Sequence, residues 1–361
     1  MSQTSKIRVK FVAKGNRIEH APLWKRQLPG NQSLWKNCQF VFDPECREYD
    51  WLVVYDDLST QGSERFSQRI ETLACPARNT IFITAEPSSI KVYGNDFLNQ
   101  FGIVISSQEP WATPAKGLVL HHQPALRWYY GVPWEWYKNT PSGLRTWDEM
   151  EATFPENKTQ TISTVTSSKQ MTCTEHKTRF DFVQYLKNKI PELDSFGHGI
   201  RLVDDKAEAL DSYRYHLAIE NHYCEHHFTE KLSDAFLGGT LPFYYGCPNA
   251  ADYFPKDSFI PIDIHNPEES LKIIRKAISN QEYEKRLPAI KEARRRVLHQ
   301  HNIFPLLHQI INQHHDDSTN TDNQRKIYSR HRMRKLSILH GVRYALDKYR
   351  IHRRLQQRNK I

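Results

Sequence analysis

The sequence predicts an α/β protein of two Rossmann-like domains facing a cleft, followed by a basic helical tail. Three observations carry this. Short β-rich runs alternate with longer connections through the first half. The same alternation returns in the second half, after a stretch with little hydrophobic periodicity. Basic residues gather at the far end. A length of 361 residues suits two domains.

In chain order, Lys6–Val12, Trp51–Tyr55, Thr80–Thr84 and Gly102–Ser106 read as strands rich in Val, Ile, Phe and Tyr. Strands separated by long crossovers pair in parallel, with helices on their faces. The passage Gln123–Tyr137 is dense in Trp, Tyr and Pro and too irregular for either regular element. Its aromatics suit packing beneath a linker. The linker falls near Met150. Thr161–Thr166 is the next strand, and Lys177–Lys189 spaces Phe180, Val183 and Leu186 as a helix does. Tyr215–Ile219 is a strand. Thr229–Gly238 is a helix with Thr229 as N-cap and Gly238-Gly239 as its stop. Strands Leu241–Tyr245 and Phe259–Ile262 precede helices Pro267–Ser279, Glu282–His299 and Phe304–His315. The expected domains are residues 1–155, 156–316 and a tail of 317–361.

Lys and Arg number 50 against 41 Asp and Glu, a formal charge of +9. Residues 325–361 hold 13 of those basic residues and one acid, Asp347, so residues 1–324 carry 37 basic and 40 acidic groups. A slightly acidic body gives no reason to expect nucleic acid as a partner. Within the tail, Tyr328, Leu336, Leu339, Val342, Leu346 and Tyr349 form an apolar stripe on a basic helix. That pattern suits an anionic membrane surface; a solvated tail is the plainer alternative. The N-terminal residues lack the apolar core of a secretion signal, and no run approaches the ~18 apolar residues of a membrane span. The six cysteines are scattered and form no C-x-x-C, as expected for free thiols. Together these lead us to expect a cytoplasmic protein, peripheral on the inner membrane face.

Tyr213–Gly246 carries the functional argument. A strand ends in Glu220-Asn221. Eight residues later, Thr229-Glu230-Lys231 opens a helix, and Pro242 and Gly246 follow. A helix start offers backbone N–H groups and the positive end of a dipole, and Lys231 adds an ammonium: a plausible cradle for an anion. Taken alone, each piece is ordinary surface-helix chemistry. The joint order and spacing resemble the donor-binding motif of the family 10 glycosyltransferases, the α-1,3-fucosyltransferases, over roughly Arg179 to Asp263.

The resemblance implies a GT-B arrangement of the two domains and an inverting transfer of L-fucose from GDP-fucose to a glycan hydroxyl. The implied acceptor position is O3 of N-acetylglucosamine or glucose in a cell-surface glycan such as lipopolysaccharide. It assigns donor binding to Arg179, Glu220, Asn221, His227, Thr229, Glu230 and Lys231. Lys231 and Arg179 would meet the diphosphate, Glu230 the ribose hydroxyls, and Asn221 would order the loop. Glu86, after a strand and before Pro87, matches the family's general base; Asp56 and Asp57 are weaker alternatives. His227 stands where many members have an aromatic residue, and His222 where Ser is frequent. The resemblance therefore leaves another nucleotide-sugar donor open. No D-x-D triplet occurs, so neither a cofactor nor an obligatory metal is expected beyond the donor itself. Two readings of other classes remain. His222-x-x-Glu225-His226 matches the inverted zinc-protease pattern, which needs a helix to aim both histidines at one ion. The basic tail alone would make a non-enzymatic binder.

Overall fold

The computed structural model describes residues 6–14, 21–133, 143–168, 174–315 and 325–358. It divides into two α/β units: residues 1–124 with 303–361, and residues 125–302.

The first unit is built on seven strands: β1 Ile7–Ala13, β2 Leu34–Trp35, β3 Cys38–Val41, β4 Trp51–Tyr55, β6 Thr80–Ile83, β7 Ile103–Ser106 and β8 Leu118–His121. A short β5, Ile70–Thr72, lies outside this sheet. The order is β2-β3-β1-β4-β6-β7-β8, parallel throughout except for β2 against β3. β4, β6 and β7 are near-continuous runs of Val, Ile, Leu and Phe buried on both faces, which is how central parallel strands read.

The second unit has five parallel strands: β9 Gln160–Val165, β10 Leu193–Phe196, β11 Tyr213–Ile219, β12 Leu241–Tyr245 and β13 Ile260–Pro261. Their order is β10-β9-β11-β12-β13, the 2-1-3-4-5 winding of doubly wound folds. Such sheets bind ligands at the carboxyl ends of the two strands where the winding reverses, here β9 and β11. Its helices come close to the predicted bounds: His176–Lys187, Glu230–Leu237, Pro267–Ser279 and Glu282–His299.

The units divide the chain elsewhere than at 155 and 316. Trp128 and Tyr130 are buried with Met150 against Leu232, Phe236 and Val297, inside the core of the second unit. Arg294 adds a hydrogen bond to the Thr153 carbonyl (2.7 Å) and another to that of Met150. The aromatic passage and supposed linker are thus core of the second unit; Trp134 and Trp136 lie outside the described residues. The Ile303–His314 helix belongs to the first unit instead. Phe304 packs edge-on against Phe40 at 4.7 Å and near Phe11 and Phe42.

The tail is part of the first unit too. β14, Lys326–Tyr328, pairs antiparallel with β5 and buries Ile327 completely. Short helix Arg330–Arg334 and long helix Ile338–Arg358 follow. The long helix buries Ile351 against Val92 and Ala112, and Asp347 accepts from the Asn95 N–H at 2.9 Å, at the first turn of helix Asn95–Leu98. Leu339, Val342, Leu346 and Tyr349 stay 48–62% exposed on its other side. Only Leu339, Val342, Leu346 and Tyr349 of the six stripe residues share a helix; Leu336 is exposed between the two helices, and Tyr328 sits in β14. Among the described residues no helix is long and apolar enough to cross a membrane.

Candidate active site

β11 ends where its ladder meets Glu220, whose N–H donates to the Tyr245 carbonyl at 2.8 Å. The Glu220 side chain then turns inward and is 0% exposed. A buried carboxylate needs partners, and it finds them nine residues on. One oxygen accepts from the Thr229 N–H (2.8 Å), the other from the Thr229 hydroxyl (2.7 Å). This pair closes the 221–228 loop and fixes the start of the Glu230–Leu237 helix. The same hydroxyl caps that helix by accepting from the Lys231 N–H at 3.3 Å. Gly246 makes room for the tie. It sits at φ +155°, and a Cβ there would lie 2.3 Å from Cγ of Glu220. The Glu-Asn…Thr…Gly spacing is the trace of one packed junction.

Around it stand the charges. Lys231 Nζ lies 3.0 Å from the Thr229 hydroxyl, 3.1 Å from Glu230 and 3.3 Å from Glu220. Its three protons are therefore spoken for by oxygens of Thr229, Glu230 and Glu220. Burial alone would disfavour both charges, but the carboxylates outweigh it and hold Lys231 above its ordinary value. Likewise Lys231 and Lys206 outweigh burial and hold Glu230 below its own. Arg179, in the first turn of the His176–Lys187 helix, is 5% exposed. Burial lowers its pKa, against the pull of Glu220 and Glu230. Its Nη1 reaches the Ile219 carbonyl at 3.5 Å, and its Nε is buried without a hydrogen bond among the described residues. The backbone carbonyl of Asn221 accepts from the Glu175 N–H (3.1 Å), just before Arg179's helix. The Asn221 side-chain oxygen is a second buried atom without a partner among the described residues. Buried polar atoms are nearly always paired, so two orphans beside Glu220 mark where a polar ligand fits.

His227 is buried, its ring edge-on to His222 at 5.9 Å between centres. The His222–His226 stretch is irregular loop, with His226 at φ +61°. His226 Nδ1 meets the Tyr253 hydroxyl at 2.6 Å. The helix that the zinc-protease pattern requires is absent there, because the Glu220–Thr229 tie holds the segment as a loop.

The sequence reading missed a third cation. Lys206 Nζ pairs with Asp234 at 2.7 Å, and Asp234 lies one turn beyond Glu230 on the same helix. Asp234 also accepts from the Tyr129 N–H (3.1 Å), drawing the aromatic passage to the helix. Lys206 reinforces the negative form of Glu230. The available signal was Asp234 itself: a carboxylate amid Leu232, Phe236 and Leu237 needs a counter-charge from elsewhere in the chain.

Glu86 lies in the first unit, exposed, on the bend after β6. Its turn is held from behind. The Tyr93 hydroxyl accepts from the N–H groups of Ala85 (2.9 Å) and Glu86 (3.4 Å) and donates to Asp56 at 2.8 Å. Asp56 also pairs with Lys91, and Gln108 donates to the Glu86 carbonyl at 2.7 Å. Asp56 and Asp57 are both buried and both engaged, Asp57 by the Arg330 N–H at 2.9 Å. Of the three carboxylates considered, only Glu86 is exposed.

Residues 155–287 match the family described as Glycosyltransferase family 10 (fucosyltransferase) C-term. GDP-fucose protein O-fucosyltransferase 3 of Xenopus laevis is 25% identical over 53% of this chain and 48% of its own. Alpha-(1,3)-fucosyltransferase FucT of Helicobacter pylori is 35% identical over 20% of this chain and 16% of its own. The chain thus spans about half the length of the first relative and far less of the second. A solved alpha1,3-fucosyltransferase with GDP-fucose is similar over 89% of this chain and 94% of its own, at 16% identity and a TM-score of 0.48. The region 155–287, which matches that family, holds the Glu220–Gly246 junction and all three cations, Arg179, Lys206 and Lys231.

Proposed function

We propose that the chain transfers L-fucose from GDP-fucose, with inversion, to a hydroxyl of a cell-surface glycan. The acceptor position is O3 of N-acetylglucosamine or glucose, in an acceptor such as lipopolysaccharide. The observation that carries this is the pair of unpartnered buried polar atoms, on Arg179 and Asn221, beside a helix start loaded with cations. Glu86 takes the proton of the acceptor hydroxyl as that oxygen attacks C1 of fucose. The bond from C1 to the β-phosphate oxygen breaks, and GDP leaves with the electron pair. Charge growing on the diphosphate needs preorganised donors. Arg179 supplies a guanidinium whose fork suits phosphate oxygens. Lys231 supplies an N–H once Glu230 turns from it to the ribose hydroxyls, so ribose recognition and phosphate neutralisation are linked. These cations do the work of a divalent ion, and transfer persists under chelation.

The basic helix, with its exposed stripe, holds the enzyme peripherally at an anionic membrane face. His222 and His227 favour one further reading, a different nucleotide-sugar donor. Thermal unfolding with GDP, GDP-fucose, UDP and other nucleotide sugars in parallel decides between them. A ligand at a hundred times its Kd adds about 2.7 kcal/mol of stability. Stabilisation by GDP and GDP-fucose above the others is expected. Preference for another nucleotide sugar selects the second reading, and no response to any nucleotide overturns both.

A further inference from the structure

A second feature belongs to the first unit alone. It is a groove of about 540 Å³ in the first unit, between helix Ile338–Arg358 and the segment around Asn95 and Trp111. That volume is in the range of small-ligand sites. One wall carries Arg350, Arg353 and Arg354. Arg354 rests over the Trp111 ring, 5.6 Å from its centre. Arg350 and Arg353 make no hydrogen bond or ion pair among the described residues. The one carboxylate in the lining, Asp347, is engaged by both nitrogens of Asn95, at 2.9 and 3.2 Å. The groove therefore presents three guanidinium groups against one carboxylate, on a helix whose position is fixed by buried Ile351.

We propose that this groove binds the phosphate headgroup of an anionic membrane amphiphile. Arginine forks match phosphate oxygens two at a time, and Trp111 offers an apolar floor to the glycerol or sugar next to the phosphate. The choice of an amphiphile over a soluble phosphate comes from Tyr349. It lines the groove and is also the last member of the exposed stripe Leu339-Val342-Leu346-Tyr349. A headgroup seated among the arginines thus has an apolar track for its chain on the same helix. The inference rests on the peripheral-membrane reading above and adds a discrete, saturable headgroup site to it.

Binding of monomeric dihexanoyl phosphatidylglycerol to the full chain tests it without vesicles. Glycerol 3-phosphate and uncharged dihexanoyl glycerol serve as the chainless and phosphate-free arms. Vesicles of phosphatidylglycerol in phosphatidylcholine are pelleted in parallel. Saturable binding of the phospholipid, far weaker binding of both controls, and a loss of about tenfold or more in the R350Q/R354Q variant are expected. Both residues are exposed, so the variant keeps the wild-type Tm. Equal binding of glycerol 3-phosphate assigns the groove to soluble phosphates and overturns the proposal. Vesicle pelleting without saturable phospholipid binding overturns the groove but leaves the peripheral reading standing. Saturable binding without pelleting does the reverse.

Discussion

Both units wind their central strands in the same order and gather charged side chains at the carboxyl ends of those strands, yet they leave them in different states. In the first unit, Asp56, Lys91 and Tyr93 close on one another, Asp57 is held by Arg330, and only Glu86 is turned out. In the second, three cations and three carboxylates meet at one helix start, and Arg179 and Asn221 still keep polar atoms without partners. Buried charges that are paired hold a fold in place, and a buried polar atom without a partner is a place where a polar ligand can fit. One unit presents an exposed carboxylate on a hydrogen-bonded turn; the other presents a cluster of buried charges.

That division of labour can be broken at either end. Glu86→Gln should lower kcat by about 10²–10⁴-fold, the range of a lost general base, while thermal stabilisation by GDP stays at the wild-type value. Activity within a few-fold of wild type would move the base elsewhere. Lys231→Ala should cost about 10²–10³-fold in kcat/KM, as for a lost transition-state donor, and should weaken GDP binding as well. Tail-driven vesicle binding should not change, which separates an enzyme from a mere tail-driven binder.

Gly246→Ala probes the junction rather than the chemistry. A Cβ pressed against Glu220 should lower unfolding stability by about 1–3 kcal/mol, measured in urea, with part of the activity retained. The smallest effect concerns Lys158, buried where its amine donates to the carbonyls of Leu210 and Gly238. Burial pushes its pKa down to about 7. Between about pH 7 and its unfolded value the native amine has lost its proton and the unfolded one has not, so stability rises with pH. The Tm difference between wild type and Lys158→Met should therefore shift in favour of wild type from pH 7 to 9. A difference independent of pH would show that the amine stays charged in the fold.

The legibility of the molecule follows from whether its partners leave an ordered pattern in the chain. Glu220, Thr229 and Gly246 are read easily because a strand end, a helix cap and a glycine follow one another in a fixed order. Lys206 and Asp234, about as far apart, escaped because neither belongs to such a pattern. The first boundary was misread because Trp128, Tyr130 and Met150 show no periodicity; they bury singly, in irregular chain. The short β14, three residues long, has no strand signature beyond Ile327, and its partner β5 is as short. The tail's stripe was read from spacing, and its exposed part stands as expected. Its opposite face, with Tyr344, Asp347 and Ile351, docks through residues too mixed in polarity to signal burial.

The pairing of β14 with β5 has a consequence for synthesis. The second unit is continuous in the chain, from 125 to 302, and can close as soon as Asn302 has emerged. The first unit is interrupted: β1 to β8 are made first, but the Phe304 helix, β14 and the tail come last. The usual order of co-translational folding, N-terminal domain first, is therefore reversed for completion. Until residues 303–358 arrive, the Phe304 contacts of Phe11 and Phe40, the edge of β5 and the apolar side chains of Val92 and Ala112 that Ile351 covers stay uncovered. A chain stalled short of residue 303 would release one finished unit joined to one that lacks its cover.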